Sequence, residues 1–320
     1  EELVEIGKRR ADVVAITAAM LGPTGLDRFK EEFPDRTFDV GIAEQHATTS
    51  ASGMAFAGLH PVVAVYSTFL NRAFDQLLMD VALHKAGVTF VLDPAGITGD
   101  DGPSHHGIWD LALTGIVPRL HVAAPRDGTR LKELLNESIE ISDAPSLIRF
   151  PKGGVNSDIP AFERKDGIDI LYRGESPDVL LVSVGAMAQV AVEAAASAYR
   201  EGVGVTVIDP RWIKPLPMSV LASKAERYSQ IVVIEDGISH GGVASTLSEE
   251  LRSRENSTPI HSIGVPLAFI EHSKRAEILE DLGITAQTIA RQIVGWFSGT
   301  TTQEVMQHRA SGNADRTQNR

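Results

Sequence analysis

The sequence predicts an α/β protein with two consecutive open, mostly parallel sheets, each covered by helices. Short apolar runs rich in β-branched residues alternate with stretches of helical periodicity, which is the pattern of parallel sheets. The alternation stops in a segment dense in Gly, Pro and charge near residue 150, and then starts again. The length of 320 residues is also about twice that of a common domain.

Five apolar runs in the first half are predicted strands, and two stretches between them are predicted helices. The strands are at 13–17, 37–40, 61–66, 88–92 and 120–124. The helices are at 43–58 and 71–87, and Gly87 is the predicted C-terminal cap of the second helix. Strands joined by helices in this order form a sheet that is covered on both faces.

The second half repeats this pattern on a smaller scale. Its predicted strands are at 178–185, 203–209, 231–236 and 259–265. We therefore predict a first domain at 1–151, a linker with one short hairpin at 152–176, a second domain at 177–298 and a disordered tail at 299–320.

Composition excludes several functions. The net charge of -12, without a basic run, disfavours partners such as nucleic acids and anionic membranes. The absence of cysteine excludes disulfides, thiolate metal sites and a cysteine nucleophile, and is compatible with a cytoplasmic location, which we predict. No apolar stretch is long enough to span a membrane, and the charged first residues do not resemble a signal peptide.

The common nucleotide and hydrolase motifs are missing. The sequence has no G-x-x-x-x-G-K-[ST] loop, no G-x-G-x-x-G after a strand and no G-x-S-x-G elbow. The adjacent His105 and His106 lack further spaced ligands, so we predict no metal site within this chain. Gly241 and Gly242 precede a helix, where they favour a tight turn over an anion-binding terminus.

Three segments that follow predicted strands are the candidates for chemistry, because ligands of open α/β sheets bind at the carboxyl ends of strands. The segment 39–46 places Glu44 in the first turn of a helix, where it either performs chemistry or only complements the helix dipole. The segment 66–76 brings Tyr66, Phe69 and Arg72 to a helix start, although periodicity alone favours an ordinary core position for Phe69. The third segment is the loop 95–107.

These segments, DVGIAEQHA, VAVYSTFLNRAFDQLLMDVAL and GDDGPSHHG, closely resemble the pyrimidine-binding domain of the 1-deoxy-D-xylulose-5-phosphate synthase family. In the second half, VTVIDPRWIKPLP, VVIEDGISHGG and IGVPLAFIEH resemble the family's C-terminal transketolase-like domain, so the resemblance covers residues 1–298. It implies thiamine diphosphate as the cofactor. The family's N-terminal domain, which holds the diphosphate through Mg²⁺, has no counterpart in this sequence. We therefore expect a processed chain or an excised fragment that is inactive without that domain.

The resemblance also implies roles for single residues. Glu44 matches the glutamate that hydrogen-bonds the pyrimidine ring, and Phe69 matches the aromatic residue that stacks on it. With Glu44, His105 is an implied catalytic residue. The implied cofactor-binding residues are Ile42, Glu44, Tyr66, Phe69 and Arg72, and the implied substrate-binding residues are Tyr66, Arg72, Asp101, His105 and Lys152.

Two positions depart from the family pattern. Pro94 and Lys152 stand where the family presents an arginine pair to the phosphate of the acceptor aldehyde. Lysine still attracts phosphate as a point charge, whereas proline does not. The mode of phosphate recognition therefore differs from the family, or the acceptor has changed.

The resemblance implies a transferase that condenses pyruvate, with loss of carbon dioxide, and D-glyceraldehyde 3-phosphate to 1-deoxy-D-xylulose 5-phosphate. This reaction serves isoprenoid, thiamine and pyridoxal precursor synthesis. The implied partners are the N-terminal domain or subunit and a second copy in a homodimer. Two alternatives remain: a split transketolase-like subunit with another acceptor aldehyde, and a non-catalytic dimerisation module.

Overall fold

Two sheets with helices on their faces make up the computed structural model, which describes residues 1–153 and 157–299. The strands are β1 (Val13–Thr17), β2 (Thr37–Asp39), β3 (His60–Val65), β4 (Thr89–Ala95), β5 (His121–Ala123), β6 (Ser146–Pro151), β7 (Glu163–Lys165), β8 (Ile168–Tyr172), β9 (Val179–Ser183), β10 (Val205–Asp209), β11 (Trp212–Lys214), β12 (Gln230–Ile238) and β13 (Ile260–Val265). The predicted fold class is confirmed. Apart from Gly299, the predicted disordered tail lies outside the described residues.

Twelve α-helices are present in the described part of the chain. They are α1 (Glu2–Arg9), α2 (Asp27–Glu32), α3 (Glu44–Phe56), α4 (Ser67–Leu70), α5 (Phe74–Gln76), α6 (Asp110–Gly115), α7 (Gly128–Ile139), α8 (Ala188–Arg200), α9 (Met218–Ala225), α10 (Val243–Arg252), α11 (Arg275–Asp281) and α12 (Ala286–Phe297).

The first sheet has the strand order β11-β5-β6-β4-β3-β1-β2. The strands from β5 to β2 are parallel to their neighbours, and β1 and β3 are buried along their whole length. A parallel strand that is covered on both faces needs a continuous apolar run, which is why these strands are visible in the sequence. The second sheet has the order β13-β12-β9-β10-β8-β7.

The predicted helix at 71–87 is irregular in the structure. Helical backbone begins earlier, with α4, and continues through a 3₁₀ turn at Asn71–Ala73 and α5 into a π-helical turn at Leu77–Ala82. The predicted cap at Gly87 is wrong, because the left-handed residue after the helix is Lys85, with φ of 59°. Gly87 is required for another reason: a Cβ at this position would lie 2.7 Å from the carbonyl oxygen of Ser142.

The predicted linker is part of the second sheet, and the second half of the sequence adds a strand to the first sheet. The hairpin predicted between them is present as β7 and β8, but β8 also pairs antiparallel with β10, so the hairpin is the edge of the second sheet. In return, β11 from the second half pairs antiparallel with β5 and extends the first sheet. Sequence reasoning missed β11, and it also missed β6, which lies between β5 and β4.

A buried ion cluster joins the two halves. Arg126, in the loop between β5 and α7, donates hydrogen bonds of 2.7 Å to both Asp169 on β8 and Asp209 on β10. It also donates to the carbonyl oxygen of Ile159 at 3.0 and 3.1 Å. Burial raises the pKa of Asp209 to about 6, and the charge of Arg126 offsets only part of this effect. Asp209 therefore depends on this guanidinium for its stability in the interior, whereas Asp169 also pairs with Arg164 at 2.5 Å.

We predict that Arg126→Met lowers the free energy of unfolding by about 3–5 kcal/mol, because among the described residues it leaves the buried Asp209 without an ion-pair partner and Asp169 with Arg164 alone. Urea denaturation followed by circular dichroism measures this change. The matched control is Arg254→Met, which removes an exposed ion pair with Glu250 and should change the stability by less than about 1 kcal/mol. Equal effects of the two substitutions would contradict the proposed role of the cluster.

Candidate active site

Three segments meet at the carboxyl edge of the first sheet, because β1, β2, β3 and β4 run parallel. The turn after β2 is set by Asp39, whose Oδ1 accepts hydrogen bonds from the backbone N–H of Gly41 at 3.0 Å and of Ala19 at 2.8 Å. Gly41 has φ of +72°, a conformation that glycine adopts without strain. This turn starts α3 at the sheet edge.

Glu44 is the first residue of α3 and is only 3% exposed. Its Oε2 atom has no hydrogen-bond partner within the described part of the chain. The position also suits the helix dipole, but that interaction does not require a buried carboxylate. An unpartnered buried carboxylate oxygen is costly, so the site fits a ligand that offers a donor here. The neighbouring Ile42 is 79% exposed and presents an apolar surface.

The structure brings together three of the predicted aromatic residues. The rings of Tyr66 and Phe69 lie 5.8 Å apart with planes at 10°. His105 meets both rings edge-on, at 5.5 Å from Phe69 and 6.4 Å from Tyr66. Phe69 is half-buried and also packs against the core, so its structural and functional interpretations are both compatible with the geometry.

The loop that carries His105 is closed at its base by a backbone bridge. Gly96 and Gly107 exchange two N–H···O=C hydrogen bonds of 2.8 Å. Inside the loop, His106 is fully buried and its Nδ1 accepts from the backbone N–H of Thr98 at 3.1 Å. The adjacent His105 is partly exposed. The two histidines therefore differ in role, and His106 acts as an internal support of the loop.

Two predicted substrate-binding residues form an ion pair with each other. The Nζ of Lys152 donates to the carboxylate of Asp101, and this hydrogen bond raises the pKa of Lys152. The nearby Tyr66 shifts this pKa in the same direction. In contrast, Arg72 is exposed and forms no ion pair with any described residue. Pro94 is buried near the end of β4.

Residues of the second half support the same loop. Asp236 on β12 accepts a hydrogen bond from the backbone N–H of Ile97 at 3.1 Å, and Arg275 donates to the Ile97 carbonyl oxygen at 2.6 Å. Asp236 and Arg275 also pair with each other at 2.7 Å. A Cβ on Gly96 would lie only 2.2 Å from the Asp236 carboxylate, so this contact requires glycine. Sequence reasoning missed both supporting residues.

The glycine turn before α10 is not an open anion site. The buried carboxylate of Glu235 accepts hydrogen bonds from the backbone N–H groups of Val243 and Ala244, at 2.8 and 3.3 Å. A Cβ on Gly242 would lie 2.2 Å from this carboxylate, and Gly241 has φ of +72°. These contacts support the interpretation as a tight turn. Burial raises the pKa of Glu235 to about 7.

Within residues 1–153 and 157–299, no group of three or more His, Cys, Asp or Glu side chains is arranged to hold a metal ion. In the same part of the chain, no helix is long and apolar enough to cross a membrane.

Two family models match the chain: the transketolase pyrimidine-binding domain at residues 1–157 and the transketolase C-terminal domain at residues 169–289. Among solved structures, a split-gene transketolase described as an inactive β4 tetramer has a TM-score of 0.81 and 29% identity. The match covers 91% of this chain and 94% of that chain. A transketolase from Campylobacter jejuni shares the fold, with a TM-score of 0.75 and 18% identity over 92% of this chain and 45% of that chain.

Several curated relatives carry the same name. The 1-deoxy-D-xylulose-5-phosphate synthase of Mycolicibacterium gilvum is 56% identical over 301 residues, which are 93% of this chain and 47% of that protein. The synthase of Rhodococcus jostii is 57% identical over 300 residues, 93% of this chain and 46% of that protein. The chain thus spans about half the length of these relatives. It belongs to the 1-deoxy-D-xylulose-5-phosphate synthase family, of whose members it matches the pyrimidine-binding and C-terminal transketolase domains.

Proposed function

We propose that this chain is the pyrimidine-binding and C-terminal part of a transferase that depends on thiamine diphosphate. The reaction condenses pyruvate, with loss of carbon dioxide, and D-glyceraldehyde 3-phosphate to 1-deoxy-D-xylulose 5-phosphate. The observation that carries the proposal is the buried, unpartnered Oε2 of Glu44 at the sheet edge that also presents Tyr66, Phe69 and His105. The identity of 56% to curated synthases supports the choice of reaction.

Glu44 and Phe69 fit the pyrimidine ring of the cofactor. The carboxyl of Glu44 would share a proton with a ring nitrogen, and the low dielectric of its buried position strengthens such a hydrogen bond. Phe69 offers an aromatic face for stacking, and the exposed side chain of Ile42 offers an apolar contact. When bound, the cofactor supplies the carbon nucleophile of the reaction, which no side chain provides.

His105 and its neighbours suit the handling of substrate oxygens. The Nδ1 of His105 lies 2.9 Å from the Ser104 hydroxyl, which leaves Nε2 for a proton transfer to or from a substrate hydroxyl or carbonyl. Arg72, which forms no ion pair with any described residue, would attract the acceptor phosphate or the pyruvate carboxylate. When the substrate binds, the ammonium group of Lys152 would leave Asp101 and pair with the substrate phosphate. The carboxylate of Asp101 could then accept a hydrogen bond from a hydroxyl of the acceptor aldehyde.

The diphosphate of the cofactor needs a further domain. The relatives are about twice as long as this chain. We therefore assign the diphosphate and its Mg²⁺ to an N-terminal domain, which is in the same polypeptide or in a separate subunit. The split arrangement is a second candidate, because the match to the split-gene transketolase covers 94% of that chain.

A homodimer contact fits the exposed apolar side chains at the end of α3 that is opposite Glu44. Phe56 is 63% exposed at the end of α3, and Met79 and Leu83, on the irregular helix that packs against α3, are 46% and 61% exposed. Exposed apolar groups that lie near each other mark surfaces for association. We place the second copy of the chain there and the assembly in the cytoplasm. A non-catalytic dimerisation module would not explain the unpartnered oxygen of Glu44.

We predict that Glu44→Gln, in the protein completed by its N-terminal domain, slows the exchange of the cofactor C2 proton for deuterium by about 10²–10⁴-fold, the usual effect of losing one acid–base group. Proton NMR after acid quench measures the exchange. The matched control is Glu31→Gln, an exposed residue of α2, which should leave the rate unchanged. An unchanged exchange rate in Glu44→Gln would show that Glu44 only stabilises the helix.

We predict that Lys152→Ala raises the KM for glyceraldehyde 3-phosphate about tenfold and hardly changes the KM for pyruvate, because one charge-assisted phosphate contact is worth about 1.5–3 kcal/mol. Unphosphorylated glyceraldehyde should be used as before. The complementary variant Pro94→Arg should raise kcat/KM for the phosphorylated acceptor. If Pro94→Arg leaves kcat/KM unchanged and the parent protein prefers an unphosphorylated acceptor, the assigned acceptor is wrong. The transketolase-like subunit with another acceptor aldehyde is then favoured.

We predict that Arg275→Ala loosens the loop 96–107 while the rest of the fold is retained. The substitution removes the hydrogen bond to the Ile97 carbonyl and the ion pair with Asp236. Hydrogen exchange at the Ile97 amide should accelerate about tenfold or more, since a charge-assisted bond contributes about 1.5–3 kcal/mol. The exposed Arg291→Ala is the control. Equal protection of Ile97 in both variants would show that the second half does not support the loop.

A further inference from the structure

A cavity of about 510 Å³ lies in the second half, between the β7–β8 hairpin and α9. None of its lining residues belongs to the candidate active site. Its charged and hydroxyl-bearing lining residues are Glu163, Lys165, Asp166, Arg173, Ser219, Ser223, Lys224 and Arg227. The four cations outnumber the two carboxylates, although the whole sequence has a net charge of -12. A local excess of positive charge on an acidic protein needs a specific explanation.

Three of these four cations have no partner among the described residues. Arg173 pairs with Glu163 at 2.5 Å and lies over the ring of Phe162 at 4.8 Å. The side chains of Lys165, Lys224 and Arg227 form no ion pair or hydrogen bond with any described residue. These cations repel each other, Glu163 and Asp166 balance only part of the positive charge in the cavity, and a bound anion would remove the remaining repulsion.

Lys224 is destabilised in its charged form by burial and by the neighbouring cations. Its side chain is half-buried. Burial lowers its pKa, the charges of Arg173, Arg227 and Lys165 lower it further, and only Glu163 acts in the opposite direction. A lysine in such surroundings gains more from an anionic ligand than an isolated surface lysine does.

Two separate elements supply the lining groups. Lys165 and Arg173 belong to the hairpin, in β7 and directly after β8, whereas Lys224 lies near the C-terminal end of α9 and Arg227 follows that helix. Ser219, Ser223 and Arg227 follow at intervals of four residues, so they share one side of the helix and its continuation. Cations from both elements and hydroxyl donors on α9 match the needs of a ligand with several anionic oxygens.

We propose that this cavity is a second binding site, for a metabolite with a diphosphate or phosphate monoester group. The ligand oxygens accept hydrogen bonds from Lys224, Arg227 and Lys165, and the serine hydroxyls of α9 complete the contacts. The site lies at the edge of the second sheet, and its ligand would tie the hairpin to α9. The proposal stands on the lining charges and is independent of the reaction assigned to the chain.

Titration with inorganic pyrophosphate at low ionic strength, followed by calorimetry and by amide NMR shifts, tests the site in the full protein. We expect binding, with shifts at 163–173 and 219–227 and weaker binding of inorganic phosphate. The double variant Lys224→Gln/Arg227→Gln should raise the Kd for pyrophosphate at least tenfold. The matched control, Lys132→Gln/Arg291→Gln, changes the net charge equally at two exposed positions and should keep the parent Kd.

Three results would overturn the proposal. The first is an absence of binding at millimolar pyrophosphate. The second is an equal rise of the Kd in both double variants, which would show a response to net charge alone. The third is a set of NMR shifts confined to residues 39–107, which would place pyrophosphate at the candidate active site.

Discussion

The parallel alignment of β1, β2, β3 and β4 is the constraint on which the candidate site depends. The carboxyl ends of parallel strands lie at the same edge of a sheet, so residues that directly follow different strands are neighbours there although they are far apart in the sequence. Glu44 follows β2, Tyr66 follows β3, and the loop with His105 follows β4. A slip in the register of any of these strands would separate the carboxyl from the aromatic rings.

The second half of the chain holds part of the candidate active site in position. Asp236 and Arg275 hold the backbone of Ile97 at the start of the loop that carries Asp101 and His105. Arg126 joins the halves through buried carboxylates, and β11 extends the first sheet. Because these contacts cross between the halves, the geometry of the active-site loop depends on the stability of both.

Sequence reasoning predicted the parts that depend on local pattern. The strands with continuous β-branched runs, such as β1 and β9, were predicted because burial on both faces leaves a visible signature. Glu44 and Phe69 were identified because each follows a strand in a segment that resembles a known family. The ion pair of Asp101 with Lys152 was not predicted, since 51 residues separate the partners. Gly87 was misinterpreted because its constraint is the backbone of Ser142.

The central claim is that this chain supplies one half of a thiamine diphosphate site and needs a diphosphate-binding domain for activity. Carbon dioxide release from pyruvate, with thiamine diphosphate and Mg²⁺ present, tests this claim most directly. The chain alone should show no turnover, and addition of the N-terminal half of the Mycolicibacterium gilvum synthase should produce it. Sustained turnover by the chain alone, or none with the added domain, would contradict the account.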